Sequence, residues 1–326
     1  MVPELVTVNV DTDLNKSYGK ALFQLAFTTW LTPLAFGPPQ LTEVEIRDKT
    51  KAAALAPEIA YDNYDALIND PKVDAVYISL PNNLHKPLAI KALKAGKHVL
   101  CEKPLAMSHI EACEMFDVAK ENQRLLVEAI WFRWHPRTIK ALQVIAAGEI
   151  GEALKIDATF TFENSTFSNY RFDPLQGGGA LLDLGSYPLH LLAALAGVGS
   201  AISLHDLQQN MSDSGVDLTT TVKGVCGEKL AFNFHLSFEQ DPKQEISITG
   251  SNGQLSFGIN DAFTNWKAAS SMKVNGSTYE FAAVDPYQLM VEAVSDSIAG
   301  VKSWLPSAAQ SLFVMSALDQ IRTGKK

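Results

Sequence analysis

The chain has few cysteines, and their spacing does not suggest pairing or metal binding. Cys101, Cys113 and Cys226 are the three cysteines in 326 residues, far apart and without a CxxC motif. This spacing argues against a disulfide framework and a zinc site, and it suits a reducing compartment. The seven histidines are scattered too, and no His/Asp/Glu set has ligand spacing, so we expect no metal.

Positive charge is also scarce. The chain has 27 Lys and Arg against 36 Asp and Glu, a net charge of −9, and no basic run interleaved with aromatic residues. This balance argues against a nucleic-acid partner. The apolar stretch 21–36 contains Gln24 and Pro33 and is too short to span a bilayer, and the first residues lack the sections of a secretory signal. We therefore expect a cytoplasmic protein with no nucleic-acid or membrane partner.

The chain is rich in alternating strand and helix signals. Its length suits two domains, and its 47% hydrophobic content is ordinary for a globular protein. Between residues 42 and 127, short apolar runs alternate with segments of helical spacing, ending in a strand over 125–130. Alternation of this kind predicts an α/β fold with a doubly wound, parallel, Rossmann-like sheet in a first domain, residues 1–127.

The pattern changes after about residue 150. Residues 153–161, 218–225 and 230–237 alternate apolar and polar side chains at period two, and Asn252-Gly253 and Asn275-Gly276 are hairpin-turn signals. Amphipathic helices are expected near the end of the chain. The second domain, residues 128–326, is therefore predicted to be α+β, with a large, mostly antiparallel sheet.

Two polar motifs follow neighbouring strands of the predicted first domain. Pro81-Asn82-Asn83-Leu84-His85 comes after the apolar run 73–80, and Glu102-Lys103-Pro104 comes after His98-Val99-Leu100-Cys101. Ligands of parallel sheets sit outside the carboxyl ends of the strands. A lysine at that edge is either a solvated loop residue or a catalytic group.

These motifs, in this order, resemble the Gfo/Idh/MocA family of nicotinamide-dependent oxidoreductases, over about residues 41–326. The resemblance implies hydride transfer between NAD(P) and a hydroxyl-bearing carbon of a sugar, cyclitol or dihydrodiol, and a homo-oligomer. Lys103 would be catalytic, donating to the substrate oxygen. The residues implied at the cofactor are Leu80, Pro81, Asn82, His85, Glu102 and Lys103 itself.

A second family-like motif runs from Gly177-Gly178-Gly179 to Pro188. Asp183 and Tyr187 are four residues apart, which predicts that both lie on one face of a helix. A tyrosine at 187 resembles the glucose-fructose oxidoreductase and dihydrodiol dehydrogenase branch, which implies that Tyr187 exchanges the hydroxyl proton and that Asp183 orients the substrate or the lysine. His190, one turn on, is a weaker substrate candidate.

Residues 127–136 and 169–174 resemble segments of the same branch. The first implies that Arg133 contacts the cofactor and Trp131 the substrate, and the second implies that Arg171 contacts the substrate. An interdomain salt bridge or aromatic packing would explain each of them equally well.

The start of the chain departs from the family. Only Gly19 and Gly37 fall in the first 40 residues, whereas the family has a Gly-x-Gly-x-x-Gly turn there. Residues 11–13, Asp-Thr-Asp, would follow the first expected strand, and their carboxylates would repel a pyrophosphate. The segment is a displaced first unit, a variant with another phosphate clamp such as residues 17–20, or the mark of a protein that has abandoned cofactor binding.

Arg47 is the remaining cofactor candidate. An arginine at the end of the second strand can hold a 2′-phosphate, which favours NADP over NAD, although Glu45 nearby points the other way. The main alternative to an enzyme is a non-catalytic protein of the same fold that senses a ligand and regulates a partner. A defective gene product is the third possibility.

Overall fold

The computed structural model describes strand segments 4–8, 43–45 and 59–61, and then residues 63–164, 169–197, 199–258 and 260–325. The chain divides into two compact units. Unit 1 comprises residues 1–129 and 290–308, and unit 2 comprises residues 130–289 and 309–326. The chain therefore returns to unit 1 after completing most of unit 2.

The sheet of unit 1 has the strand order β3-β2-β1-β4-β5-β6 in the described part of the chain. This is the order of a dinucleotide-binding sheet. Neighbours pair in parallel at β2–β3, β4–β5 and β5–β6. The strands are β1 Glu4–Val8, β2 Glu43–Glu45, β3 Ile59–Tyr61, β4 Ala75–Ser79, β5 His98–Glu102 and β6 Leu126–Ala129.

Strand β1 departs from the predicted parallel arrangement. It runs antiparallel to both β2 and β4, and Val8 pairs with Ala75, the first residue of β4. A parallel first strand normally leads through a glycine turn into its helix. Residues 9–18, which follow β1, contain no glycine, and β1 ends at the sheet edge where β4 begins.

The core strands of unit 1 are buried along their length, as the apolar runs predict. The turn Asn82–Leu84, a short 3-10 helix, follows β4 and leads directly into a helix. Ser108 caps another helix by accepting from the Glu111 backbone N–H at 3.3 Å. The helices are α1 Tyr64–Asn69, α2 His85–Lys94 and α3 His109–Glu121.

The sheet of unit 2 has the order β14-β13-β12-β11-β7-β10-β9-β8. Its neighbours pair antiparallel, apart from β7 and β10, which are parallel. The predicted mostly antiparallel sheet is therefore confirmed. The strands are β7 Ala153–Thr161, β8 Ile202–Met211, β9 Asp217–Cys226, β10 Leu230–Ser237, β11 Lys243–Gly250, β12 Gly253–Phe257, β13 Ser270–Val274 and β14 Ser277–Phe281.

One predicted helix is broken in two. The segment expected to carry both Asp183 and Tyr187 on one helix forms two helices on either side of Gly185, and the segments Pro174–Leu184 and Ser186–Ala196 meet at 54°. The helices that follow β6 are α4 Pro136–Ala146, α5 Ala180–Leu184, α6 Ser186–Ala196, α7 Pro286–Ile298 and α8 Ala308–Thr323.

Over the described residues, no single helix has the length and apolar character to cross a bilayer. The bent pair around Gly185 passes by length and composition alone. Most side chains of α6 are buried, as in the core helix of a globular unit.

Candidate functional site

The two motifs of unit 1 leave the sheet at the same edge. Ile78 of β4 pairs in parallel with Cys101 of β5, so both strands end in the same direction. The Leu80–Asn82 turn therefore emerges beside the residues that follow Glu102. This places the predicted cofactor residues of both motifs at the carboxyl edge, where ligands of such sheets bind.

His85 joins these two turns. Its side chain is fully buried, with Nδ1 2.9 Å from the Pro104 carbonyl oxygen and Nε2 2.8 Å from the Leu80 carbonyl oxygen. Burial lowers the pKa of His85, the two carbonyls oppose that change, and the charge of Lys103 adds to it. A neutral imidazole has one N–H and donates to one carbonyl at a time. With both nitrogens facing backbone, His85 positions the turns.

Glu102 is half-buried, and its carboxylate is hydrogen-bonded within unit 1. One carboxylate oxygen accepts from the hydroxyl of Tyr77, and the other accepts from the backbone N–H of Lys103 at 3.2 Å. Both carboxylate oxygens therefore have donors from within unit 1. The arrangement fixes the backbone at Lys103, whose side chain is partly exposed, and the Lys103–Pro104 peptide bond is cis.

The described residues at this edge fit the nicotinamide half of a dinucleotide. Asn82 is a buried amide, able to donate and to accept, and Lys103 is a cation. The Glu102 carboxylate at this edge already has its donors, so it does not oppose a ligand with hydroxyl and carboxamide groups. Arg47 and the expected phosphate turn at 11–20 lie outside the described residues, and so does the expected helix over 48–55.

In unit 2, Arg171 and Asp183 form an ion pair. Nε of Arg171 donates to Oδ2 of Asp183 at 2.7 Å, and the guanidinium carbon of Arg171 lies 4.8 Å from the Tyr170 ring centroid. Burial lowers the pKa of Arg171, but Asp183, Tyr170 and Tyr187 together hold it above its usual range. Arg171 thus holds Asp183 through an ion pair, and a bend in the chain separates Asp183 from Tyr187.

Tyr187 lies in a cluster of aromatic side chains. Its ring centroid is 5.5 Å from Phe132, 5.4 Å from Phe160 and 5.6 Å from Phe263. The residue is 5% exposed. These rings fix the orientation of Tyr187, because aromatic pairs at these separations prefer defined tilted or edge-on geometries.

The other predicted residues of unit 2 are buried in its interior. Trp131 is 4% exposed and stacks on Tyr287 at 4.7 Å. Nη1 of Arg133 donates to the His190 carbonyl at 2.8 Å, and burial lowers the pKa of Arg133 to about 10. The structure therefore joins Arg133 to His190 and stacks Trp131 on Tyr287.

A buried polar network escaped the sequence analysis. Arg137 is 1% exposed and donates to Oδ1 of Asp261 at 2.8 Å and to the Asp261 and Ala262 carbonyls at 2.7 and 3.1 Å. His135 and Asn265 extend it: Nε2 of His135 lies 3.1 Å from Oδ1 of Asn265, whose amide donates to Asp261. The network anchors the loop that presents Phe263 to Tyr187. No local sequence motif predicts this network, because its partners are 124 to 130 residues apart.

Asp217 is a second residue that sequence reasoning missed. It accepts from the Leu181 backbone N–H at the start of α5, the helix of Asp183. Within the described part of the chain, no group of three His, Cys, Asp or Glu side chains could hold a metal ion.

Two family models match the chain. Residues 3–129 match the model described as "Oxidoreductase family, NAD-binding Rossmann fold", and residues 138–256 match the "GFO/IDH/MocA C-terminal domain". The chain is 31% identical to a D-xylose 1-dehydrogenase (NADP(+)) of Haloferax volcanii, over 84% of this chain and 86% of that one. It is 31% identical to a trans-1,2-dihydrobenzene-1,2-diol dehydrogenase of Mus musculus, over 78% and 75%.

A solved structure has the same fold. It is a 3-ketoreductase from Actinomadura kijaniata in complex with NADP and TDP-benzene, at a TM-score of 0.78 and 26% identity, covering 87% of this chain and 89% of that one. The predicted fold class, the NAD(P) cofactor and the oxidoreductase activity are confirmed by these matches. The chain therefore belongs to the Gfo/Idh/MocA family of NAD(P)-dependent oxidoreductases.

Proposed function

We propose that the enzyme transfers a hydride between NADP and a hydroxyl-bearing carbon of a sugar or a related diol. The observation that carries this proposal is the shared strand edge in unit 1, where His85 joins the Leu80–Asn82 turn to the turn that holds Lys103. Relatives act on D-xylose and on a dihydrobenzenediol, and the xylose enzyme uses NADP. Bound NADP would supply or accept the hydride.

The residues of this chain would manage the proton and the geometry. Lys103 would donate to the substrate oxygen and stabilise its alkoxide, and Tyr187 would exchange the hydroxyl proton. Asp183 would orient the substrate while its ion pair fixes Arg171, whose side chain is 23% exposed and whose guanidinium can donate to a substrate oxygen. Leu80, Pro81 and Asn82 would border the nicotinamide and its ribose, and Arg47 would favour NADP.

Two further properties belong to the same proposal. All three cysteines are free thiols, which supports a reducing compartment such as the cytoplasm. Resemblance to the family supports a homo-oligomer built on the partly polar outer face of the eight-stranded sheet. The mass of the protein in solution, measured by light scattering, tests the second statement.

The first test is a titration with NADPH and NADH, followed by nicotinamide fluorescence, and then a screen of D-xylose, other aldoses and dihydrodiols. Lys103→Ala and Tyr187→Phe should lower kcat about 100-fold or more, because each removes a proton-transfer group. They should leave the fold intact. Lys94→Ala and Tyr279→Phe, which alter side chains away from these motifs, are the matched controls.

The outcomes separate the candidates. Micromolar binding of NADPH with turnover that depends on Lys103 and Tyr187 supports the dehydrogenase. Binding without turnover of any polyol, or with turnover unchanged in both variants, contradicts the proposed roles. Absence of binding at millimolar cofactor would favour a ligand sensor of the same fold.

A further inference from the structure

Asp217 occupies an unusual position for a carboxylate. It is the first residue of β9 and is 8% exposed. One oxygen, Oδ2, accepts from the backbone N–H of Leu181 at 2.8 Å and from the hydroxyl of Thr220 at 2.7 Å. Helix α5 has no capping side chain of its own, since Gly179 stands at its N-cap position. Asp217 supplies the missing acceptor from 36 residues away.

Two glycines make this contact possible. Gly179 has φ of +115°, and a Cβ at that position would collide with Oδ1 of Asp217. A Cβ on Gly178 would collide with the Arg171 carbonyl, which accepts from the Gly179 N–H at 2.9 Å. Gly178 and Gly179 thus let a carboxylate and the Arg171 backbone approach the start of α5.

The same helix carries Asp183, whose carboxylate accepts from Nε of Arg171. Both partners of the ion pair are therefore attached to one small assembly, with Arg171 bound through its carbonyl and Asp183 through its helix. We propose that Asp217 is a positioning residue, which anchors α5 so that Asp183 and Arg171 hold their pair beside Tyr187. The expected change in kcat rests on the proposed catalytic function, and the structural role of Asp217 does not.

The two hydrogen-bond partners of Asp217 are both donors. Leu181 donates an N–H and Thr220 donates its O–H, so the residue must accept at both contacts. The Thr220 hydroxyl itself accepts from Nε2 of Gln209 at 3.0 Å, which fixes its proton toward Asp217. An asparagine can present one oxygen to both groups, but it removes the negative charge and places an NH2 donor where Oδ1 stands, beside Gly179. Asp217→Asn is therefore a conservative change in shape that removes the charge and one of the two acceptor atoms.

The experiment compares Asp217→Asn with a control, Asp157→Asn. Asp157 is a half-buried carboxylate on β7 of the same sheet, paired with Asn233 and Lys155. Asp217→Asn should lower kcat by up to about 100-fold, because a displacement of about 1 Å is enough for such a loss. The Kd for NADPH should stay within about twofold, since the described cofactor residues of the motifs belong to unit 1. Thr220→Val should also lower kcat, but by a smaller factor.

A coupling measurement shows whether Asp217 acts through the ion pair. The double-mutant cycle of Arg171→Met and Asp183→Asn is measured by urea unfolding with Asp217 present and again in Asp217→Asn. We expect the coupling to fall in the Asp217→Asn background, and we expect kcat of Asp217→Asn with Arg171→Met to match that of Arg171→Met alone.

Unchanged coupling in the Asp217→Asn background, together with additive losses in kcat, would overturn the proposal. If the wild-type enzyme turned over no polyol, the proposed function would fail, and the unfolding cycle would still decide whether Asp217 positions the pair. If Asp217→Asn does not fold, Thr220→Val carries the same cycle, with a smaller expected loss of coupling.

Discussion

The two units hold their polar residues in different ways. In unit 1, His85 meets carbonyl oxygens that are 5 and 19 residues away, and its partners carry no net charge. In unit 2, Arg137 pairs with Asp261 at a separation of 124 residues, and Asp217 reaches a helix 36 residues away. His85 therefore relies on uncharged partners close in sequence, whereas Arg137 and Asp217 are buried charged groups whose partners the complete fold brings to them. The two kinds of contact should respond differently to mutation and to pH.

The largest expected effect is the loss of Arg137. Arg137→Met removes an ion pair and two donors to backbone carbonyls, and it leaves Asp261 without its cation. We expect the free energy of unfolding to fall by about 3–5 kcal/mol. Urea denaturation followed by tryptophan fluorescence measures the change. Lys140→Met, on the same helix, is the control, and an equal loss in both variants would contradict the special role of the network.

The second effect concerns pH. Burial raises the pKa of Asp217 to about 6, against 3.8 for an ordinary aspartate, although its hydrogen bonds lower it. The folded state then holds this proton more tightly than the unfolded state, so the contribution of Asp217 to stability decreases as pH rises from about 4 to 6. The decrease amounts to about 3 kcal/mol. The unfolding free energy of the wild type minus that of Asp217→Asn, measured across this range, should show the slope.

In unit 1, the contribution of His85 to stability should change with pH in the opposite direction. Burial lowers the pKa of His85, so as the pH falls the unfolded chain binds a proton at this residue before the folded chain does. Its contribution is present above the usual histidine range and is lost as pH falls below it. His85→Ala should also reduce stability at neutral pH by about 1–3 kcal/mol, because a buried carbonyl loses its donor.

His85→Ala should, in addition, weaken NADPH binding, since the Leu80 and Pro104 turns lose their common partner. Fluorescence titration gives the Kd, and His205→Ala, an exposed histidine on β8, is the control. A stable variant with unchanged Kd would show that the two turns hold their places without His85.

The smallest expected effect on stability is the loss of one helix cap. Ser108→Ala removes the hydroxyl that accepts from Glu111 at the start of α3, and should lower the unfolding free energy by about 1 kcal/mol. We expect kcat to be unchanged, in contrast to Asp217→Asn, whose cap supports the helix of Asp183. An equal fall in kcat in Ser108→Ala and in Asp217→Asn would contradict this difference between the two caps.

The sequence predicted unit 1 well from residue 63 onward and unit 2 only in part. Strand ends after Ser79 and Glu102 follow from apolar runs and short motifs, so the shared edge was foreseeable. The break at Gly185 was not, because a pattern of spacing counts residues and does not register a bend. Asp217 and Asp261 gave no signal either, since long-range pairing leaves no mark near Leu181 or Arg137.

The parallel pairing of β7 with β10 has a kinetic consequence. Parallel neighbours need a long crossover, here residues 162–229, before they can meet. That connection contains Arg171, Asp183 and Tyr187 as well as β8 and β9. Pairing between segments that are distant in sequence slows folding. Strand β7 can pair with β10 only after the intervening residues, which carry the candidate site, have closed into a loop. Formation of the β7–β10 pair should therefore limit the folding rate of this sheet more than its hairpin pairs do.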